Sequence, residues 1–434
     1  VKNFLKSDNM LKAILFTLIP GLLMNGCQNS KNTTFRPADG SGAFATGKYR
    51  NLFVEVGHSA DEVNEKVETA FQKLFHGHPK MQAIYIPAGT NANGPMAYIL
   101  DIANKDVRSE GMSYGMMLAV QLNKKAEFDA LWNWAKTYMS HDSPNHPAKG
   151  YFSWSVRTDG TPNDEMPAPD GEEYFAMSLY FAANRWGNRA GIYNYKAEAD
   201  RLLGDMKNRE IITGNTVNGI RTVGNLFDVE RKMVRFSPVF EIRDHTDPSY
   251  HLPAFYELWA RWGPEQDRQF WAQAADASRD FFVKAANPVT GLTPEYAEFD
   301  GSPWADSHNP AATDFATDAW RTAMNWSFDY GWWAKDPRQQ ELSDRIQAFF
   351  ESKGLKNYGY QFTLDGTPRN TDHSPGLVAA NAVAGLAATH ERSMQFVEEL
   401  WNTPVPSGIH RYYDGMVYML SMLHCSAHFR IWTP

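Results

Sequence analysis

The sequence predicts an all-α protein, an (α/α)6 barrel of six inner and six outer helices. Three observations predict it. Downstream of residue 58 the apolar period is helical almost throughout. The helical segments come in pairs whose first member is the more apolar. No βαβ alternation of strands interrupts them. An apolar helix followed by an amphipathic one, repeated, describes a buried ring inside a half-solvated ring.

The series opens with "HSADEVNEKVETAFQKLF", which is amphipathic. Pairs follow at 111–126 with 127–140, 172–186 with 195–207, 249–262 with 267–286, 317–334 with 337–353 and 376–389 with 391–402. Segment 414–430 ends it alone. First members such as "YFAMSLYFAANRW" and "GLVAANAVAGLAA" hold scarcely a charge, whereas "DRQFWAQAADASRDFFVKAA" keeps one polar face for water. Six apolar segments thus have five following partners, and the helix at 59–75 completes the outer ring beside the last inner one. The barrel is one domain, residues 46–434. "MAYIL" and "YGYQFTLDG" are strand-like but lie between pairs.

In front of the barrel, Lys2, Lys6 and Lys12 precede the apolar run "AILFTLIPGLLM", which ends at "NGC". A basic region, a short apolar run and a small residue describe a secretory signal over residues 1–27. Cys27 stands where a bacterial lipoprotein would be cleaved and acylated, although Met24 and Asn25 fit that signal imperfectly and ordinary secretion is the alternative. The run is too short for a transmembrane helix. Residues 28–45 are polar and small and read as a tether. The expectation is an exported, lipid-anchored protein.

Net charge is −8, which argues against nucleic acid, since phosphate binding needs a basic face. With Cys27 in the leader, Cys425 is the one other cysteine, so no disulfide framework exists. Aromatic residues make up 14% of the chain. Some are core, but flat rings also stack on the apolar faces of sugars.

The pentapeptide Gly111-Met112-Ser113-Tyr114-Gly115 fits the G-x-S-x-G elbow of serine hydrolases. That motif works as a sharp strand-to-helix turn on a parallel sheet, which this pattern lacks. Its small residues are explained as well by close packing of an inner helix. Acids mark the inner-helix starts instead: Glu110; Asp170, Glu172 and Glu173; Asp244 and Asp247 with His245; Asp314 and Asp318; Asp372 with His373; and Asp414. Any one of them is explained by the helix macrodipole and by capping. Acids beside aromatics at every station of one rim suggest more, because glycoside hydrolysis needs a proton donor and a second carboxylate. Roughly 5 Å between the two suits a covalent route, and roughly 6.5–9.5 Å leaves room for an attacking water. A helix N-terminus favours the charged form of Glu110, while burial and neighbouring acids favour the protonated one.

"RSEGMSYGMMLAVQL", "PAPDGEEYFAMSLYFAANRWG" and "DFATDAWRTAMNWSFD" resemble, in that order, three segments of glycoside hydrolase family 8, inverting enzymes on this barrel that cut β-1,4-linked glycans. The resemblance implies Glu110 as general acid, Asp318 as catalytic base and Asp170 as the acid that helps hold the distorted sugar at the −1 subsite. It runs from "YRNLFVEVG" to "FRIW". Within the family, "DPSYHLPAFYELW", "GLTPEYAEFDG", "LWNTPV" and "HRYYD" are most similar to the branch that releases xylose from reducing ends. Pro169 and Glu172 depart from the cellulase pattern. The resemblance gives His373 the role of closing the +1 side, but Ser374 separates it from Pro375 where the family has His-Pro. Trp154 matches a family aromatic near the −1 side, and Arg321 follows the base by one helical turn. These two, with Tyr412 and Tyr413, are candidate substrate-binding residues whose alternative is a structural role.

The reading is therefore a hydrolase of xylo-oligosaccharides that needs no cofactor. An endo-acting xylanase or β-glucanase is one competitor, and a non-catalytic surface glycan-binding lipoprotein is another. No metal is expected: neither His245 with Asp247 nor His141 with His146 in "HDSPNH" has a zinc signature.

Overall fold

The computed structural model describes residues 40–434, which fall within one compact unit, Thr33–Pro434. The signal region, Cys27 and most of the polar stretch lie outside the described residues. The end of that stretch is not tether. Ala43–Thr46 forms a helical turn, and Phe44 stacks on Trp333 with ring centroids 4.4 Å apart. Apolar residues in "GAFA" find a barrel surface to cover, so the packed chain starts slightly before residue 46.

Twelve longer helices follow among the described residues. The outer helix Ala60–His76 starts with a capping box, Ser59 and Glu62 each satisfying the other's backbone amide. The inner ring is Ser109–Gln121, Pro169–Trp186, Pro253–Trp262, Trp320–Trp333, Pro375–Val383 and Arg411–Cys425. The remaining outer helices are Lys125–Tyr138, Tyr195–Asn208, Arg268–Ala285, Arg338–Lys353 and Ser393–Asn402. This is the predicted (α/α)6 barrel. The first inner helix packs on the second and on the sixth, which closes the ring, and Ala60–His76 packs on the sixth from outside. Tyr174 meets Phe255 edge-on at 5.1 Å between the second and third inner helices.

Short strands cap the barrel between helices, and they position the site. All of "MAYIL" but its last residue, Leu100, belongs to Gly94–Ile99, paired antiparallel with Tyr85–Asn91. Asp106–Arg108, Ser155–Arg157 and Pro162–Asp164 form a three-stranded sheet. Ile212–Thr216 and Gly219–Val223 form a hairpin. "YGYQFTLDG" makes no strand; its Phe362 bridges only to Phe315 and Pro368. Among the described residues, no helix is long and apolar enough to cross a membrane.

Candidate active site

Strand Asp106–Arg108 runs directly into the first inner helix, and the Ser109 amide donates to the Trp154 carbonyl at 3.0 Å, anchoring the junction to the neighbouring strand. Every residue of Ser109–Gln121 is buried except Glu110. The pentapeptide is therefore helical. Ser113 donates its hydroxyl to the Glu110 carbonyl at 3.0 Å. A side chain at Gly111 would lie 2.6 Å from the Tyr412 ring. Ser113 is no nucleophile on an elbow; the small residues let the last inner helix come close. Gly171 does the same for the second inner helix, since a Cβ there would stand 2.5 Å from Ser109 Oγ.

Arg321 gathers the acids. Its Nη1 donates to Asp170 Oδ2 at 2.7 Å and to Glu110 Oε1 at 3.3 Å, and its Nη2 donates to Asp318 Oδ1 at 2.8 Å. Nη1 also donates to the Tyr114 hydroxyl, and Nη2 to Ser249 Oγ at 3.0 Å. Tyr412 donates its hydroxyl to Glu110 Oε2 at 3.1 Å. The three carboxyls differ in environment. The side chain of Asp170 is 5% exposed, that of Glu110 14% and that of Asp318 32%, so Asp318 is the one open to water.

Burial raises the Glu110 pKa to about 7, aided by the charges of Asp170 and Asp318 and opposed by Arg321 and Arg108. The dipole argument for a charged Glu110 loses to desolvation. Asp170 is also raised, by burial first, with Arg321 pulling it down. A donor must be protonated to act, so kcat/KM is expected to fall as pH rises through about 7. Asp170→Asn removes one of the charges that raise Glu110, so this alkaline limb should move to lower pH; a pH–rate profile with an unmoved limb would detach it from Glu110.

Two cavities meet at these carboxyls. One, of about 570 Å³, is lined by Thr317, Trp320, Tyr360, Asp372, His373, Tyr412 and Tyr413. The other, of about 360 Å³, is lined by Trp154, Asp170, Arg221, Phe236, Tyr250, Tyr296 and Arg321. Both include Arg108, Glu110 and Asp318. All eight residues singled out in the sequence thus line this cleft. Trp154 is half-buried in the second cavity. His373 is exposed in the first and held through its Nδ1, 2.8 Å from the Tyr358 carbonyl. Tyr413 donates to the Thr317 carbonyl at 2.7 Å, next to the base candidate.

The rim acids do not all face it. Glu172 accepts from the Phe152 amide at 2.9 Å, Glu173 accepts from the Tyr256 hydroxyl at 2.5 Å, and Asp314 pairs with Arg369 at 3.0 Å. Asp244 points to solvent, and His245 stacks on Trp304 at 4.6 Å as a core ring. Asp247 is fully buried beside Asp318, its pKa raised well above normal by desolvation and then by that neighbour.

Two residues were missed in the sequence. Arg108, two positions before Glu110, lines both cavities. Glu295 Oε1 accepts from the Asp318 amide at 3.1 Å and from Thr317 Oγ1 at 2.8 Å, fixing the backbone that carries Asp318. Its segment "GLTPEYAEFDG" carries part of the family resemblance, but nothing local in it distinguishes Glu295 from Glu298.

Known proteins resemble this arrangement. The model of glycosyl hydrolases family 8 matches residues 93–427. The reducing-end xylose-releasing exo-oligoxylanase Rex8A of Paenibacillus barcinonensis is 43% identical over 91% of this chain and 99% of its own. A reducing end xylose-releasing exo-oligoxylanase of Halalkalibacterium halodurans is 41% identical over 91% and 97%. Among solved structures, a GH8 xylobiose complex from Teredinibacter turnerae superposes with a TM-score of 0.89 at 56% identity, covering 91% of this chain and all of that one. A catalytic mutant of a xylanase from the same organism, in complex with xylohexaose, gives the same figures.

Proposed function

The chain belongs to family 8 of the glycosyl hydrolases, and on that ground we propose that it is an inverting glycosidase that cleaves β-1,4-xylosidic bonds and releases xylose from the reducing end of xylo-oligosaccharides. Glu110 gives its proton to the glycosidic oxygen as the bond from that oxygen to the anomeric carbon breaks. Asp318 takes a proton from a water whose oxygen forms the new bond on the opposite face. Asp170 holds the −1 sugar or the water, and Arg321 keeps the three carboxyls in register. The observation that carries this reading is that Glu110 and Asp318 are the acids common to both cavities, so a glycan lying through the cleft has one bond between them. Trp154 supplies a stacking face on one side, and His373, Tyr412 and Tyr413 line the other.

Xylotriose followed by proton NMR through the opening minutes tests it. Prompt xylose from the reducing end, with xylobiose appearing first as the α-anomer, is the expected result. Xylobiose first seen as the β-anomer would remove Asp318 from the role of base. An endo-acting xylanase is the second reading, favoured by the 56% identity to the Teredinibacter structures, one of them a xylanase with xylohexaose bound. Xylohexaose cut internally from the first time point would establish it instead.

The loop bearing His373 is where the two readings divide. Ser374 donates its hydroxyl to Asp414 Oδ1 at 2.6 Å and accepts from the Gly376 and Leu377 amides at 3.1 and 3.4 Å. The residue that departs from the family's His-Pro order thus pins the loop to the last inner helix. Ser374→Ala removes a bond worth ~1 kcal/mol, or roughly fivefold in loop positioning. The expected result is a lower kcat/KM on xylotriose and a larger share of internal cuts in xylohexaose; an unchanged product ratio would free the loop of that role.

We also infer export with a lipid on Cys27, supported by the basic and apolar leader ending in "NGC". The mass of the mature chain tests it: an N-terminus other than acylated Cys27 would refute it.

A further inference from the structure

Behind the wall of the second cavity lies a cluster that takes no part in hydrolysis. His141 and His146, in the loop after the outer helix Lys125–Tyr138, and Glu165, just after strand Pro162–Asp164, each offer one ligand atom, and the three atoms lie within 4.8 Å of one another. The two imidazoles stack with centroids 4.0 Å apart and planes 1° from parallel. His146 Nε2 stands 3.5 Å from Glu165 Oε1, yet it is buried and makes no hydrogen bond. A buried nitrogen that a carboxylate approaches without bonding is a standing cost, and an ion between them would remove it.

The far sides of the trio are held in place. His141 Nε2 lies 2.9 Å from Ser153 Oγ, His146 Nδ1 lies 3.1 Å from the Ala148 amide, and Glu165 Oε2 accepts from the Val217 amide at 2.7 Å. The Ser153 and Val217 contacts are outer partners of the kind that orient the ligands of a metal site, whereas the Ala148 amide donates to His146 Nδ1 and leaves the proton on Nε2. Two imidazoles and one carboxylate are a donor set for zinc, with water in the fourth position, whereas calcium and magnesium ask for oxygen alone. Against the expectation from the sequence, where His141 and His146 show no zinc signature, we propose that these two with Glu165 bind a divalent transition ion of the zinc type, at a site separate from the catalytic cleft.

Binding asks for two adjustments. An ion must lie in the plane of each ring that holds it, so one ring turns out of the stack. His146 must also carry its proton on Nδ1, giving up the Ala148 contact. Residues 142–145, between the two histidines, are exposed and give the loop room for that turn. The ion would act as a staple. Glu165 already holds Val217, at the tip of the hairpin Ile212–Thr216/Gly219–Val223, and Arg221 of that hairpin lines the cleft together with Met166. An ion on Glu165 would tie the loop, the hairpin and this wall together.

Zinc chloride titrated into chelator-stripped full-length protein, by calorimetry and by thermal unfolding, is the test. The expected result is one equivalent bound and a Tm that rises until that equivalent is reached, with magnesium giving neither. Glu165→Gln and His146→Gln should each weaken zinc binding by about tenfold or more while leaving zinc-free hydrolysis of xylotriose unchanged. Zinc that leaves Tm unmoved, or binds both variants as tightly as the parent, would overturn the proposal; the second outcome would place the ion on the cleft carboxylates.

Discussion

Glu110→Gln is expected to lower kcat on xylo-oligosaccharides by about 10²–10⁴-fold, the usual worth of a positioned proton donor. Asp318→Asn should lower it comparably, and a second substrate separates the two roles. A xyloside whose leaving group departs without protonation needs no acid, so it should restore much of the rate to Glu110→Gln and none to Asp318→Asn. Equal rescue of both, or of neither, would break the assignment. The same substitution carries a stability effect whose sign is fixed. The folded pKa of Glu110, about 7, lies above its ordinary value of 4.5. The folded state therefore holds this proton more tightly than the unfolded one, and stability declines as pH rises from 4.5 through 7. At pH 8 the ionised acid costs the fold on the order of 3 kcal/mol. Glu110→Gln should accordingly melt above the parent at pH 8 and with it at pH 4, as scanning calorimetry would record.

Arg321→Met should be the most damaging single change in the cleft. The guanidinium touches all three carboxyls, and its side chain is 5% exposed. Removing one partner of a buried ion pair costs about 3–5 kcal/mol, because the opposite charge stays behind. Here three acids stay behind, so the loss should shrink as pH falls and they protonate. Activity should fall by more than ~10²-fold even in samples shown to be folded, since positioning is lost along with charge. Arg321→Lys should recover stability better than turnover: an ammonium supplies charge but not a planar fork that reaches Asp170 and Asp318 at once. A lysine variant with full turnover would show that the fork is dispensable.

The barrel was legible because its signal is long and redundant. Each inner helix is an apolar run at helical period, and the contrast with its outer partner repeats. The strands were harder to read. Pro162–Asp164 and Ile212–Thr216, "ITGNT", are short and half-exposed, and neither shows an alternation of apolar and polar residues that would mark a strand. In the site, the residues that sequence could find were, Trp154 apart, those inside continuous segments at helix starts. Glu295 acts through a backbone amide 23 residues away, a contact no local pattern carries. Helical geometry separates the acids of one helix start: Glu172 lies about 200° round the helix from Asp170, and it accepts from the Phe152 amide away from the cleft.

The ring closes only when the sixth inner helix seats against the first. Tyr412 comes to Glu110 from 302 residues further along the chain, and Arg321 from 211. Contacts so distant in sequence form late and slowly, and during synthesis the apolar flank of Ser109–Gln121 waits uncovered for most of the time the ribosome takes to make the rest. A nascent chain stalled before Arg411 would already hold Glu110 and Asp318, yet lack the hydroxyl that grips the acid and one wall of the barrel. Turnover in this protein should therefore report completed folding: a chain halted short of the last helix is expected to release no sugar from xylotriose.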